Sequence, residues 1–120
     1  MKKTLLLFSL ISCSVFAQDW QTESSVMQLL QELVKVRANR VDQSQTGWVI
    51  VDVPSEYTRY FFVSNTKDPA FPAMFKRSVV EKDSSITMQT EVTCEGDRGA
   101  CDNYLDVFQN QDKEMQKSFQ

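Results

Sequence analysis

Residues 48–64 read WVIVDVPSEYTRYFFVS. Successive side chains alternate across a strand, so Val49, Val51 and Val53 share one face while Trp48, Ile50 and Asp52 share the other. Pro54-Ser55-Glu56 supplies a turn, and Tyr57 to Ser64 is a second strand dense in aromatics. The segment therefore predicts a β-hairpin with apolar residues on both faces.

Upstream, Thr22 or Asp19 is a candidate cap for a helix that starts near Glu23. Val26, Leu29, Leu30, Leu33 and Val34 recur at helical spacing, with Met27 and Val36 widening the stripe. The helix is expected to end near Arg40 to Asp42, with a loop from Gln43 to Gly47. Downstream, Asn65 to Pro69 breaks the sheet. Asp68 and Pro69 suit the start of a short helical turn, and Phe71, Met74 and Phe75 suit a plug at the core edge.

Arg77 to Glu81 and Ser85 to Cys94 predict a second hairpin around Lys82-Asp83-Ser84. In its last strand Ile86, Met88, Thr90, Val92 and Cys94 face one way and Thr87, Gln89, Glu91 and Thr93 the other. Asp102 is a candidate cap for a final helix with Tyr104, Leu105, Phe108 and Met115 as its stripe, extended by Phe119. The expected fold is α+β: a four-stranded antiparallel sheet from two hairpins, with the N- and C-terminal helices packed on one face. The other face, carrying Trp48 and Ile50, would then need a cover from a loop, a second copy or a partner. Either Tyr60 and Phe62 or Tyr57, Arg59 and Phe61 join it, depending on a register that the sequence does not fix.

The N-terminus carries a different signal. Met1-Lys2-Lys3 is basic, Thr4 to Ile11 is almost wholly apolar, and Val15-Phe16-Ala17 forms a cleavage site before Gln18. Residues 1–17 are thus expected to be a removable export signal, shorter than a bilayer span of about 20 residues. Leu10-Ile11-Ser12-Cys13 offers the alternative of lipid attachment at Cys13. Both routes lead out of the cytoplasm, to the periplasm or its membrane surface. Residues 18–120 then form a single domain. Loss of Lys2 and Lys3 leaves 11 basic against 16 acidic residues, a net charge of −5, which suits a basic protein partner better than nucleic acid. In an oxidising compartment Cys94 and Cys101 are most simply a disulfide. In the chain-entropy picture so short a loop stabilises the fold by about 2.5 kcal/mol.

The chain has no histidine and only three glycines, which removes histidine-based triads, HExxH zinc sites and glycine-rich phosphate loops. The Cys94 and Cys101 spacing is not CxxC, and no metal or cofactor site is expected. Glu91, Glu95 and Asp97 are candidates for a glycosidase carboxylate pair, but so small a domain leaves little room for a glycan cleft, so no enzymatic role is expected. The informative segment is Cys94-Glu95-Gly96-Asp97-Arg98-Gly99-Ala100-Cys101. A disulfide-held loop loses less entropy on entering a partner's cleft, and it presents Glu95, Asp97 and Arg98 beside Glu91 as candidate contacts. The same disulfide also reads as a plain staple between the last strand and the last helix.

The export signal over residues 1–17, a mature length near 100 residues, the mixed helix and hairpin order and the Cys94–Cys101 clip resemble the small periplasmic immunity proteins of bacterial type VI secretion, in particular those paired with VgrG-type spike effectors that carry a lysozyme-like domain. The resemblance implies a protein that waits in the periplasm and occludes the glycan cleft of a muramidase-type effector. It also implies a homodimer, which would suit an open Trp48 and Ile50 face. An inhibitor of foreign lysozyme and a structural subunit of an envelope complex are the alternative readings.

Overall fold

The computed structural model describes residues 24–44 and 46–118. The expected signal over residues 1–17, Cys13, the cap candidates Asp19 and Thr22, and Phe119 lie outside these residues. Helix α1 spans Ser25–Lys35. Strands β1 (Arg40–Ser44), β2 (Trp48–Val53), β3 (Thr58–Val63), β4 (Ala73–Lys82) and β5 (Ser85–Cys94) follow, and helix α2 runs over Arg98–Lys117. The strands form one antiparallel sheet in chain order, β1-β2-β3-β4-β5. The general α+β class is as expected, but the sheet has five strands rather than four.

The extra strand was concealed in the presumed helix end. Ser24, not Thr22 or Asp19, caps α1: its Oγ accepts from the Met27 N–H at 3.1 Å. The helix stops at Lys35. Val36 turns extended, and the Asn39 side chain donates to the Leu33 carbonyl at 3.0 Å. Arg40–Ser44 then pairs with β2, Val41 opposite Val51. With one apolar residue in five, this edge strand carries no alternation to betray it.

The second correction concerns layers. Cross-strand pairing puts Val49, Val51, Tyr60, Phe62 and Met74 on one face. Val26 of α1 is buried against them, with Leu29, Leu30 and Leu33 packed alongside. The opposite face carries Trp48, Phe61, Phe75, Val92 and Cys94, and α2 covers it with Cys101, Tyr104, Leu105 and Phe108. The helices therefore lie on opposite faces, because the central strands are apolar on both sides and each face needs its own cover. Wholly buried Phe62 and Phe75 mark the two cores. Register assigns Arg59 and Phe61 to the Trp48 face.

Two boundaries also differ. β4 starts at Ala73, which places Met74 and Phe75 inside a strand rather than a plug. No helical turn forms at Pro69; instead Asp68 Oδ1 accepts from the Ala70 N–H at 2.9 Å in a local turn. α2 starts at Arg98 under Asp97, four residues before the expected Asp102 cap, so Cys101 sits in its first turn.

A row of polar residues crosses the α2 face in register: Arg40, Asp52, Arg59, Arg77 and Thr90. Arg59 and Arg77 are direct neighbours, an arrangement that repels unless each finds a carboxylate. Arg59 forks onto Asp52 on the surface. Arg77 is largely covered, and α2 supplies its counter-charge. Nε stands 2.7 Å from Asp112 Oδ1 in an ionic contact outside hydrogen-bond geometry. Asp112 Oδ2 accepts from Thr90 Oγ1 at 2.5 Å, and Arg77 Nη2 donates to the Phe108 carbonyl and to Gln111 Oε1. The guanidinium also lies 5.3 Å and 5.1 Å from the ring centres of Phe61 and Phe108.

The pair gives a stability prediction. The side chains of Arg77 and Asp112 are only 11% and 8% exposed, so Asp112→Ala leaves a guanidinium uncompensated and is expected to cost about 3 kcal/mol. Urea unfolding of the oxidised chain from Gln18 onward measures it, and the joint change Arg77→Met with Asp112→Leu is expected to recover most of the loss. A single-variant loss below about 1 kcal/mol, the scale of a surface pair, would contradict this role.

Candidate functional site

β5 and α2 meet at a corner formed by residues 94–101. Cys94, the last residue of β5, is bonded to Cys101 in the first turn of α2, with 6.2 Å between Cα atoms. The disulfide expected from the sequence is present. Each of the next three residues has its own constraint.

Glu95 reaches to the start of α1. Its Oε1 accepts from Ser24 Oγ at 2.8 Å and from the Val26 N–H at 3.3 Å. Its Oε2 accepts from Ser25 Oγ at 2.5 Å and from the Ser25 N–H at 3.1 Å. A carboxylate at a helix N-terminus satisfies orphan N–H groups and opposes the helix dipole. Burial pushes the Glu95 carboxyl up, but the bonds from Ser25, Ser24 and the α1 backbone outweigh it and hold it below the ordinary glutamate value.

Gly96 lies against the 69–72 loop. A Cβ there would stand 2.3 Å from the Ala70 carbonyl oxygen and 2.6 Å from that of Phe71. The backbone on either side is tied to the same loop, with Glu95 N–H donating to Pro72 O at 2.9 Å and Asp97 N–H to Pro69 O at 2.8 Å. Asp97 caps α2, its Oδ2 accepting from the Ala100 N–H at 2.9 Å. The loop is anchored further by Tyr104, whose hydroxyl donates to Asp68 Oδ2 at 2.6 Å; that bond, with burial, pushes the phenol up.

Of the expected contact residues, Glu95 and Asp97 thus have carboxylates committed to helix starts, one in each helix. Arg98 is the exposed first residue of α2. Glu91 is exposed on the α1 face of β5, opposite Lys76. The corner brings Glu95, Asp97 and Arg98 into one short segment and leaves Glu91 outside it, four residues before Glu95 in β5 on the α1 face.

Trp48 and Ile50 sit elsewhere. The premise that their face lacks a covering layer is corrected by α2: the Trp48 ring meets Tyr104 edge-on at 5.0 Å and lies 5.9 Å from Phe75 and 6.1 Å from Phe108. Ile50 remains half-exposed in a shallow hollow of about 340 Å³ beside Thr46, Phe61 and Val107. Among the described residues no helix is long and apolar enough to cross a membrane.

Two predictions follow from the corner geometry. Gly96→Ala forces a methyl group onto two backbone carbonyls and is expected to cost about 2 kcal/mol or more, read by thermal and urea unfolding. A loss below about 0.5 kcal/mol would mean the corner yields freely. Glu95→Gln is expected to cost about 1 kcal/mol at neutral pH, the scale of a lost cap on an exposed carboxylate. A group depressed on folding stabilises above its unfolded value and loses that contribution as pH falls through its folded value. The gap between parent and Glu95→Gln should therefore hold above about pH 4.3 and close below it. A gap that is unchanged at pH 3 would contradict the charged contact.

No family model, curated protein or solved structure matches the chain.

Proposed function

We propose that this protein is an immunity protein of the bacterial envelope, which binds a muramidase-type cell-wall hydrolase and blocks its glycan cleft. The observation that supports this reading most strongly is the stiffness of the β5–α2 corner. Its backbone is held by a disulfide, by two bonds to the 69–72 loop and by the caps of two helices. A segment so fixed has little entropy left to lose on binding.

Arg98 is the residue of this corner suited to the target. Muramidases work with paired carboxylates at the floor of a cleft. A guanidinium offers a planar fork that pairs with such a carboxylate and displaces the water or sugar it serves. Arg98 projects from the first position of α2, with its neighbours Asp97 and Gly99 also exposed. Glu95 and Asp97 shape and hold the corner rather than contacting the target directly, and Glu91 is left for the periphery of the interface. The net charge of −5 in the expected mature chain would speed encounter with a basic hydrolase.

The reading predicts stoichiometric inhibition. Titration of the oxidised chain from Gln18 onward into a turbidity assay with the hydrolase encoded beside it should abolish lysis near one equivalent. Arg98→Ala should raise the inhibitory concentration at least ten-fold with unchanged thermal unfolding. Undiminished lysis at molar excess removes the immunity reading, and full inhibition by Arg98→Ala moves the contact away from the corner.

A further inference from the structure

The cross-sheet row of arginines ends at a cleft of about 630 Å³ at the open end of the α2 face. One wall is cationic. Arg59 is neutralised by Asp52 and Arg77 by Asp112, which leaves Arg40, in register with Asp52, as the surplus charge; it forms no ion pair among the described residues. The opposite wall is the next row along the strands and is apolar. Val79 and Met88 line it from the sheet, Tyr57 lines it from the turn before β3, and Met115 closes it from α2.

Two features set this wall apart from ordinary surface. Tyr57 is 76% exposed and sits in the left-handed backbone region at φ 51°, a costly conformation for an aromatic residue. Val79 is 42% exposed in the middle of a ten-residue strand. An open aromatic, two methionines and a valine beside a surplus guanidinium match one ligand chemistry: a carboxylate next to an apolar group.

We propose that this cleft binds an acidic segment of a protein partner, with a Glu or Asp side chain on Arg40 and the outer edge of the Arg59–Asp52 pair and a flanking aromatic or aliphatic side chain on Tyr57, Val79, Met88 and Met115. The proposal rests on the reading of the domain as a protein-binding module, and adds a second contact remote from the β5–α2 corner. Binding is electrostatic at its polar end and weakens with salt.

The test uses the isotope-labelled oxidised chain and two capped peptides, acetyl-Phe-Glu-Phe-amide and acetyl-Phe-Gln-Phe-amide. The glutamate peptide should saturate, with amide shifts confined to residues near 40, 57–59, 79 and 88, and the glutamine peptide should bind at least ten-fold more weakly. Arg40→Gln should weaken the glutamate peptide at least three-fold. Tyr57→Gly relieves the left-handed strain, so it should weaken binding without lowering the melting temperature. Equal affinity for both peptides, shifts elsewhere, or no shifts because residues 119–120 or a second copy already fill the cleft would overturn the proposal. Occupation by a second copy would show as shifts on dilution without peptide. Failure here with intact hydrolase inhibition removes only the cleft, whereas peptide binding without inhibition removes only the immunity reading.

Discussion

The Glu95 carboxylate collects the first N–H groups and two hydroxyls of α1, while the residue before it is covalently joined to α2. Since α1 and α2 cover opposite faces of the sheet, these adjacent residues are where the two halves of the molecule meet. A sheet with a helix on each side has no direct contact between its outer layers. Here that contact is made around the sheet's end, through a segment too short to flex. Gly96 allows it, because only a residue without a side chain fits against the Ala70 and Phe71 carbonyls.

The layering also explains the charges. α2 crosses a face on which two arginines stand side by side, and it brings the carboxylate that one of them needs. The buried Arg77–Asp112 pair contributes less to net stability than to alignment, since desolvation offsets most of its attraction and any other placement of α2 strands a charge. The corner fixes the start of α2, and the pair fixes its middle. Beyond the pair, Met115 of the same helix lines the cleft that also reaches the row's last arginine, Arg40.

Much of this was legible from residue pattern. Residue pattern placed β2 and β5 to the residue: β2 through a run of β-branched and aromatic side chains, β5 through its alternation of apolar and polar positions. The disulfide followed from two cysteines and the expected export signal. β1 was not legible, since RVDQS carries no alternation and becomes a strand only by pairing with β2. The opposed helices were not legible either: Trp48 and Phe61 against Phe62 and Tyr60 is a question of register, and a one-residue slip exchanges the faces. At the candidate site, Glu95, Asp97 and Arg98 were found for their rigidity. That the two carboxylates serve as caps depends on Ser24 and Ser25, about seventy residues away in sequence, and tertiary capping leaves no local signature. The Arg59–Arg77 neighbourhood would have emerged from the β3–β4 register alone.

The account turns on the corner acting as one mechanical unit that joins α1, the sheet and α2. Native-state amide hydrogen exchange, before and after reduction of Cys94–Cys101, tests this most directly. The account predicts that in the oxidised protein the Val26 and Ala100 amides are protected together, and that reduction lowers both by similar factors while the Phe62 and Phe75 amides change little. Loss of protection confined to the first turn of α2, with Val26 unaffected, would contradict it.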